Sequence, residues 1–419
     1  MYNYKTNDNY TLKQLKLPLV IEKLIDISDS VYTFCDVMDH IDLTPYFVEA
    51  KGYKTGRPRC DAEKLLKVIL FAFMENGYCS LREIEKLCNN DIRFMYLLDE
   101  MKAPTFATFG NFIRNELTSS IEDIFNDINA YIFNKEKVDL NHTYIDGTKI
   151  EANANKYTWV WKKSCIRNRD KVFGYISALI EEMNSGVLCT FGVKIEQRDE
   201  YAIEYLEEII EKYAQLTSLD FDTFVYGKGH RKTIYQRQYE KLNEYKERLK
   251  TYAKHIEVCG SERNSYSKTD NDASFMRIKT DYMGNDQLLP AYNLQAAICD
   301  EYIAVIDVKQ YASDMECFVP LMEKFNKTYG HYPKYPVADA GYGSYNNYIY
   351  CEEHGMEKYM KFTMFKKETT DKKYREDPYR IVNFKRDSEG NLVCPNGKRF
   401  IYKYDKRIYK NKYGRTEEI

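Results

Sequence analysis

The sequence predicts an α/β protein, in which an all-helical N-terminal region precedes a mixed sheet interrupted by a long helical insertion. Three observations carry that expectation. Residues 61–117 hold three short stretches of helical periodicity, each with a start signal. Two strand-like runs, 144–150 and 337–338, each deliver one aspartate into a segment of small residues. Residues 292–362 alternate strand-like and helix-like stretches, as α/β units do.

In chain order, residues 1–44 are a lead-in with one expected helix near Pro18–Ile27. Residues 45–135 form the expected helical domain. Its basic, glycine-containing start carries Lys51, Lys54, Arg57 and Arg59. An apolar helix follows from Asp61 to Phe73. Ser80-Leu81-Arg82-Glu83 has the capping-box pattern, and Leu81, Ile84 and Leu87 share a helical face. A third helix opens at Pro104-Thr105 and runs to about Leu117. This order suits a helix-turn-helix reader of DNA. Taken alone, it suits an ordinary three-helix bundle better, since such bundles are more common than DNA readers.

The α/β core is expected over 136–365, with the insertion at about 157–265. The insertion's Glu196–Tyr213 stretch is acid-rich and its Lys228–Lys254 stretch base-rich. The basic arm either lines a phosphate backbone or pairs with the acidic arm by charge. Strands at Tyr292–Ile298 and Tyr302–Val308 follow, joined around Cys299-Asp300-Glu301. A helix over about Asp314–Lys327, the strand into Asp339, a helix near Tyr345–His354 and a strand at Tyr359–Phe362 complete the core. From residue 360 to the last residue there are 17 Lys/Arg against 9 Asp/Glu, interleaved with tyrosines. That composition suits phosphate contact and base stacking, or a polar surface segment; 366–419 is set apart as a basic C-terminal segment.

Composition bounds the function. Charged residues make up 30% and the net charge is −2, so nucleic-acid contact must come from local patches. The 11 cysteines contain no C-x-x-C pair, which argues against a zinc ribbon or a disulfide framework and for reduced thiols in the cytoplasm. No apolar run is long enough to span a bilayer, and Met1–Tyr10 lacks the layout of a signal peptide.

The chemistry concentrates in Tyr144-Ile145-Asp146-Gly147-Thr148-Lys149 and Val337-Ala338-Asp339-Ala340-Gly341-Tyr342-Gly343-Ser344. Strand ends that each present an Asp are how an α/β core builds a site for a hard divalent cation. Two such ions clamp the attacking and leaving oxygens of a phosphodiester. The bland alternatives are a hairpin turn at Asp146-Gly147 and a helix cap at Asp339. Gly341-x-Gly343 alone is a weak phosphate-loop signal.

The segment from Tyr144 through Lys156, continued by Tyr157-Thr158-Trp159-Val160-Trp161-Lys162-Lys163-Ser164, resembles the first-aspartate segment of bacterial insertion-sequence transposases. The nearest branch is the one named for insertion sequence 1182. Ala338–Ser344 resembles the second-aspartate segment, and Tyr292-Asn293-x-Gln295 also matches the core strands of that family. The resemblance implies an RNase H-like fold and an acidic triad. It implies Asp146 and Asp339 as catalytic metal ligands for Mg²⁺ or Mn²⁺, with two ions. It also implies duplex DNA partners at transposon inverted repeats and target sites. No membrane partner follows; a homodimer or larger assembly on DNA does, in a cytoplasmic protein that joins the nucleoid when bound. Lys149, Lys156, Lys162 and Lys163 are expected to meet phosphates or face solvent, and Tyr292 to pack its strand.

The third acid of the family follows a Tyr-x-x-Arg-x-x-x-Glu pattern. Here Tyr404-x-x-Arg407 begins it, but Asn411 stands where the glutamate belongs. The chain is therefore expected to end before its third ligand. Two readings stay open: a transposase lacking that acid, and a non-catalytic DNA-binding remnant. A nucleotide-binding or methyl-transfer enzyme would need a glycine-rich loop directly after the first strand, and Asp146-Gly147-Thr148 is not one.

Overall fold

The computed structural model describes residues 25–47, 60–99, 101–227, 231–261, 263–278, 284, 286–403, 407–409 and 416–418. The chain divides into two compact units, Met1–Asp139 and Leu140–Ile419.

The described part of the first unit is all helical: α1 (Ser30–Asp39), α2 (Ala62–Asn76), α3 (Leu81–Asn90), α4 (Ile92–Leu98), α5 (Phe106–Phe112) and α6 (Ile121–Glu136). Side chains start most of them. Asp29, Asp61, Ser80, Asp91 and Thr105 each accept a hydrogen bond from a backbone N–H of the first turn. Capping of this kind satisfies donors that the helix itself cannot. Val31, Met38, Leu66, Phe71, Ile84, Phe94, Phe109 and Ile124 meet in one core. The lead-in thus shares the core of the helices that follow it. Its expected helix near Pro18–Ile27 lies almost wholly outside the described residues, and α1 begins just after it.

The second unit is built on a six-stranded mixed sheet. It opens with β1 (His142–Glu151), which runs unbroken through Asp146-Gly147, so no hairpin turn forms there. Next comes β2 (Trp159–Trp161), then the insertion helices α7 (Lys162–Ser185), α8 (Val187–Thr190), α9 (Ile203–Leu216) and α10 (Ile234–Cys259). The chain returns through β3 (Ser265–Ser267), which pairs antiparallel with β2 and closes the neck of the insertion. Val172, Ile176, Leu179, Ile180 and Met183 recur at helical spacing on α7 and pack with Leu206, Ile210, Tyr213, Leu242 and Leu249. Lys246 and Lys250 of the basic arm reach Glu207 of the acidic arm at 3.7 and 2.8 Å. Lys232 pairs with Glu240 and Arg248 with Glu244. Much of the basic arm's charge is therefore answered within the insertion.

After the insertion come β4 (Ser274–Arg277), β5 (Leu288–Cys299), β6 (Tyr302–Lys309), α11 (Phe318–Tyr329), β7 (Tyr335–Ala338), α12 (Tyr345–Glu353) and β8 (Tyr359–Met360). The sheet order is β4-β5-β1-β7-β8, with β6 on the same edge of β5 as β4. β5 and β6 form a hairpin whose turn residues Asp300 and Glu301 both have positive φ, as a tight two-residue turn requires. β1 is antiparallel to β5 and parallel to β7. α11 puts Phe318, Leu321, Met322 and Phe325 against the sheet, all fully buried. Farther on, β9 (Lys385–Arg386), β10 (Leu392–Val393) and β11 (Arg399–Phe400) make a small antiparallel meander.

Candidate metal and nucleic-acid site

The two aspartates come together through strand register. Tyr144 pairs with Val337 and Ile145 with Ala338 across the parallel β1–β7 ladder, so Asp146 is the next residue on β1 and Asp339 the first residue past the end of β7. Neighbouring strands run about 4.8 Å apart, and side chains alternate between faces. Asp146 thus shares a face with Tyr144 and Thr148. Both aspartates are exposed. Each carboxylate is oriented by its own loop: Gly147 N–H donates to Asp146 Oδ1 and Gly341 N–H to Asp339 Oδ1, each at 2.8 Å. The second oxygen of each has no hydrogen-bond partner among the described residues. A Cβ at Gly341 would sit 2.9 Å from Asp339 Oδ1, so the turn's glycine keeps room for the carboxylate.

Behind this pair lies a buried polar network. Gln295 stands opposite Gly147 on β5, and its amide occupies the space that a Cβ at Gly147 would enter. Tyr342 Oη donates to Gln295 Oε1. Gln295 Nε2 donates to Asn293 Oδ1 at 2.9 Å, and Asn293 Nδ2 donates to Asp314 Oδ1 at 2.8 Å. Burial drives the Tyr342 pKa upward, and the nearby charges of Asp314, Asp146, Cys317 and Asp339 push the same way. Tyr342 therefore stays protonated and acts as a donor. By sequence, Tyr292-Asn293-x-Gln295 reads only as strand residues. Tyr292 does sit in β5, and its hydroxyl donates to Asp270 Oδ2 at 2.6 Å. No sequence signal joins Gln295 to Tyr342, 47 positions away.

The two carboxylates fit a hard divalent cation: both are oxygen donors, each holds one oxygen in reserve, and their exposure leaves room for water and phosphate oxygens. Among the described residues, no group of three or more His, Cys, Asp or Glu side chains is arranged to hold a metal ion.

The basic candidates divide. Lys51, Lys54, Arg57 and Arg59 lie outside the described residues. β1 turns Lys149 to the face opposite Asp146, where it is half-buried across from Asn293. Lys156 lies over the Tyr157 ring, 5.4 Å from its centre. Lys162 donates to the Gly260 carbonyl at the insertion neck. Lys163 is exposed and lines an open groove of about 480 Å³ with Ile166, Arg167, Asp170 and Lys171. Arg167 and Lys171 escape a motif search because they follow a helical period on α7 rather than a recognisable string.

Two family models match the chain. Residues 19–115 match the transposase domain family DUF772, and residues 263–413 match the transposase DDE domain. The first match falls wholly in the first unit, the second in the sheet unit after the insertion. Together they support a DDE transposase, a DNA-transposing enzyme with DNA as its partner. Asp339 lies inside the second match; Asp146 lies in neither. No curated protein and no solved structure matches the chain. No helix among the described residues is long and apolar enough to cross a membrane.

Proposed function

We propose that the protein is an insertion-sequence transposase of the insertion sequence 1182 type, cleaving and joining DNA at transposon ends on an RNase H-like core. The observation that carries this reading is the abreast position of Asp146 on β1 and Asp339 just past its parallel neighbour β7, in a chain whose domains match transposase families. Asp146 and Asp339 would hold Mg²⁺ or Mn²⁺ through their unbonded oxygens. Two bound ions supply Lewis-acid activation and neutralise charge at the phosphodiester. The chain's own residues orient the carboxylates through the Gly147 and Gly341 amides and keep the space before them open. The reaction is an in-line displacement at phosphorus, by water and then by a DNA 3′-OH, with no covalent protein–DNA intermediate.

In this reading, the helices of 45–135 read duplex DNA as a helix-turn-helix domain. The core spans 136–365 with its insertion, and 366–419 adds a basic segment. Lys163, with Arg167 and Lys171 beside it, is the phosphate contact that the groove on α7 favours. The protein works in the cytoplasm, on the nucleoid, as a dimer or larger assembly.

A second reading, DNA binding without catalysis, is favoured by one observation: no third metal-binding side chain joins Asp146 and Asp339 among the described residues. One experiment separates the two. The full chain is titrated with transposon-end DNA and unrelated duplex across a salt series, then assayed for strand cleavage with Mg²⁺ or Mn²⁺. Binding that falls steeply with salt is expected, because neutralised phosphates release counterions. Absence of binding at low salt overturns both readings. Cleavage that Asp146→Asn abolishes selects the enzyme; binding with background cleavage selects the second reading.

A further inference from the structure

We infer that Gln295 and Tyr342 are positioning residues: their buried hydrogen bond sets the placement of Asp339 relative to Asp146. This deepens the metal-site reading above and rests on it. The parallel ladder between β1 and β7 stops at Ile145–Ala338, one residue short of both aspartates. Past that point the backbone of the Asp339 turn closes on itself, with Tyr342 N–H donating to the Asp339 carbonyl at 3.3 Å. What ties this turn to the β1 side of the sheet is the Tyr342 hydroxyl on Gln295. Gln295 stands directly opposite Gly147, the neighbour of Asp146, and fills the space left by its missing side chain.

The direction of the chain of hydrogen bonds is forced. Asp314 Oδ1 accepts from Asn293 Nδ2 at 2.8 Å and from Gln295 Nε2 at 3.3 Å. Amide nitrogens only donate, and both of these face that oxygen. The oxygen of Gln295 is then left to face Tyr342, which must donate. Tyr342 is held from its other side as well, since its carbonyl accepts from Asn347 Nδ2 at 2.7 Å while the same nitrogen donates to the Met315 carbonyl at 3.0 Å. Gln295, Asn293, Tyr342 and Asn347 are all at most 1% exposed. A buried, fully partnered network of this kind rigidifies what it connects. It fixes the two strands without touching the ion or the DNA.

The test uses the full chain and Mn²⁺ as the probe. Mn²⁺ binding is read by electron paramagnetic resonance, thermal unfolding gives stability, and hydrogen exchange is followed in segments 142–151 and 335–345. Tyr342→Phe is expected to weaken Mn²⁺ binding about tenfold or more, the scale of losing an outer-shell partner. The double variant Gln295→Met with Tyr342→Phe replaces both partners by apolar groups. It removes the Gln295 oxygen that Tyr342→Phe leaves unpaired but strands Asn293 Oδ1, which accepts from Gln295 Nε2, so it should recover melting temperature only in part, and it should keep the weakened Mn²⁺ binding. A double variant that regains both, or a Tyr342→Phe chain that binds Mn²⁺ like the parent, overturns the inference. If the parent binds no Mn²⁺, or binds it equally after Asp146→Asn, the metal reading fails instead. The exchange arm then decides the positioning claim alone: faster exchange in both segments of Tyr342→Phe upholds it, and unchanged exchange overturns it.

Discussion

On one face of the central sheet, Thr143, Ile145, Asn293, Gln295, Ala297 and Asp307 lie buried, with the apolar stripe of α11 packed on that side. On the other, Tyr144, Ile150, Ile303, Val308 and Tyr359 remain 44–56% exposed around the strand that carries Asp146. Polar groups on the covered face have partners, Gln295 and Asn293 in their shared network and Asp307 with Lys309 at 3.1 Å, because an unpaired buried polar atom is costly. The open face leaves carboxylates accessible to water and to ions. It does so by exposing apolar side chains that a closed core would bury. The same β1 strand serves both faces, by alternation alone. The contrast explains how one sheet can be a rigid scaffold and a reactive surface at once.

The largest expected effect tests the covered face. Phe325, fully buried on α11, has its ring centre 4.9 Å from that of Tyr329, with the two rings tilted at 53°. Phe325→Ala should destabilise the sheet unit by about 3–5 kcal/mol, the usual cost of deleting a buried ring. Urea unfolding measures it. A loss below about 1 kcal/mol would mean that α11 does not close this face.

A smaller effect comes from two neighbours on β1. Gly147→Ala drives a Cβ into the Gln295 amide, whose space is fixed by its hydrogen bonds. Overpacking of this kind costs about 1–3 kcal/mol. Thr148→Ala, one residue on and facing outward, should cost about 0.5 kcal/mol or less. Equal losses at the two positions would erase the distinction between the faces.

Metal removal probes the open face directly. At a Mn²⁺ concentration ten times the dissociation constant, the ion should stabilise the folded chain by about 1.4 kcal/mol, and chelation should remove that gain. Asp146→Asn should abolish the shift while leaving metal-free stability within about 0.5 kcal/mol, since the side chain is exposed. A variant that loses its metal-free stability as well would mark Asp146 as a structural residue.

Much of this architecture was legible because local signals agree with it. Ser80 caps α3 as its pattern says, and the strands around Asp300-Glu301 form the expected hairpin. The alternation near 292–362 appears as β5, β6, α11, β7, α12 and β8, with ends displaced by a few residues. Asp146-Gly147 is ambiguous in sequence, because the same dipeptide suits a turn; pairing with Ala296 and Gln295 of β5 holds it extended. Other features arise only between distant segments. The pairing of Lys250 with Glu207 needs two helices laid side by side. Lys162 looked available for phosphate until the neck brought the Gly260 carbonyl to it. The exposure of Val308 could not be read from a run of apolar residues, which describes a covered strand equally well.

That last point yields the smallest and sharpest prediction. Val308 lies across from Leu294, which pairs in turn with Thr148 of the Asp146-bearing strand, so all three share the open face. Its side chain is 54% exposed, while Val305 on the same strand is 2% exposed. Val→Thr keeps the β-branched shape and adds a hydroxyl. At a covered position that hydroxyl is buried and must find a partner, at a cost of about 1–3 kcal/mol. At Val308 it meets water, so Val308→Thr should change stability by no more than about 0.5 kcal/mol. Urea unfolding of Val308→Thr beside Val305→Thr makes the comparison within one strand. If Val308→Thr costs as much as Val305→Thr, something covers the face that bears Asp146, and the carboxylates are not open to solvent.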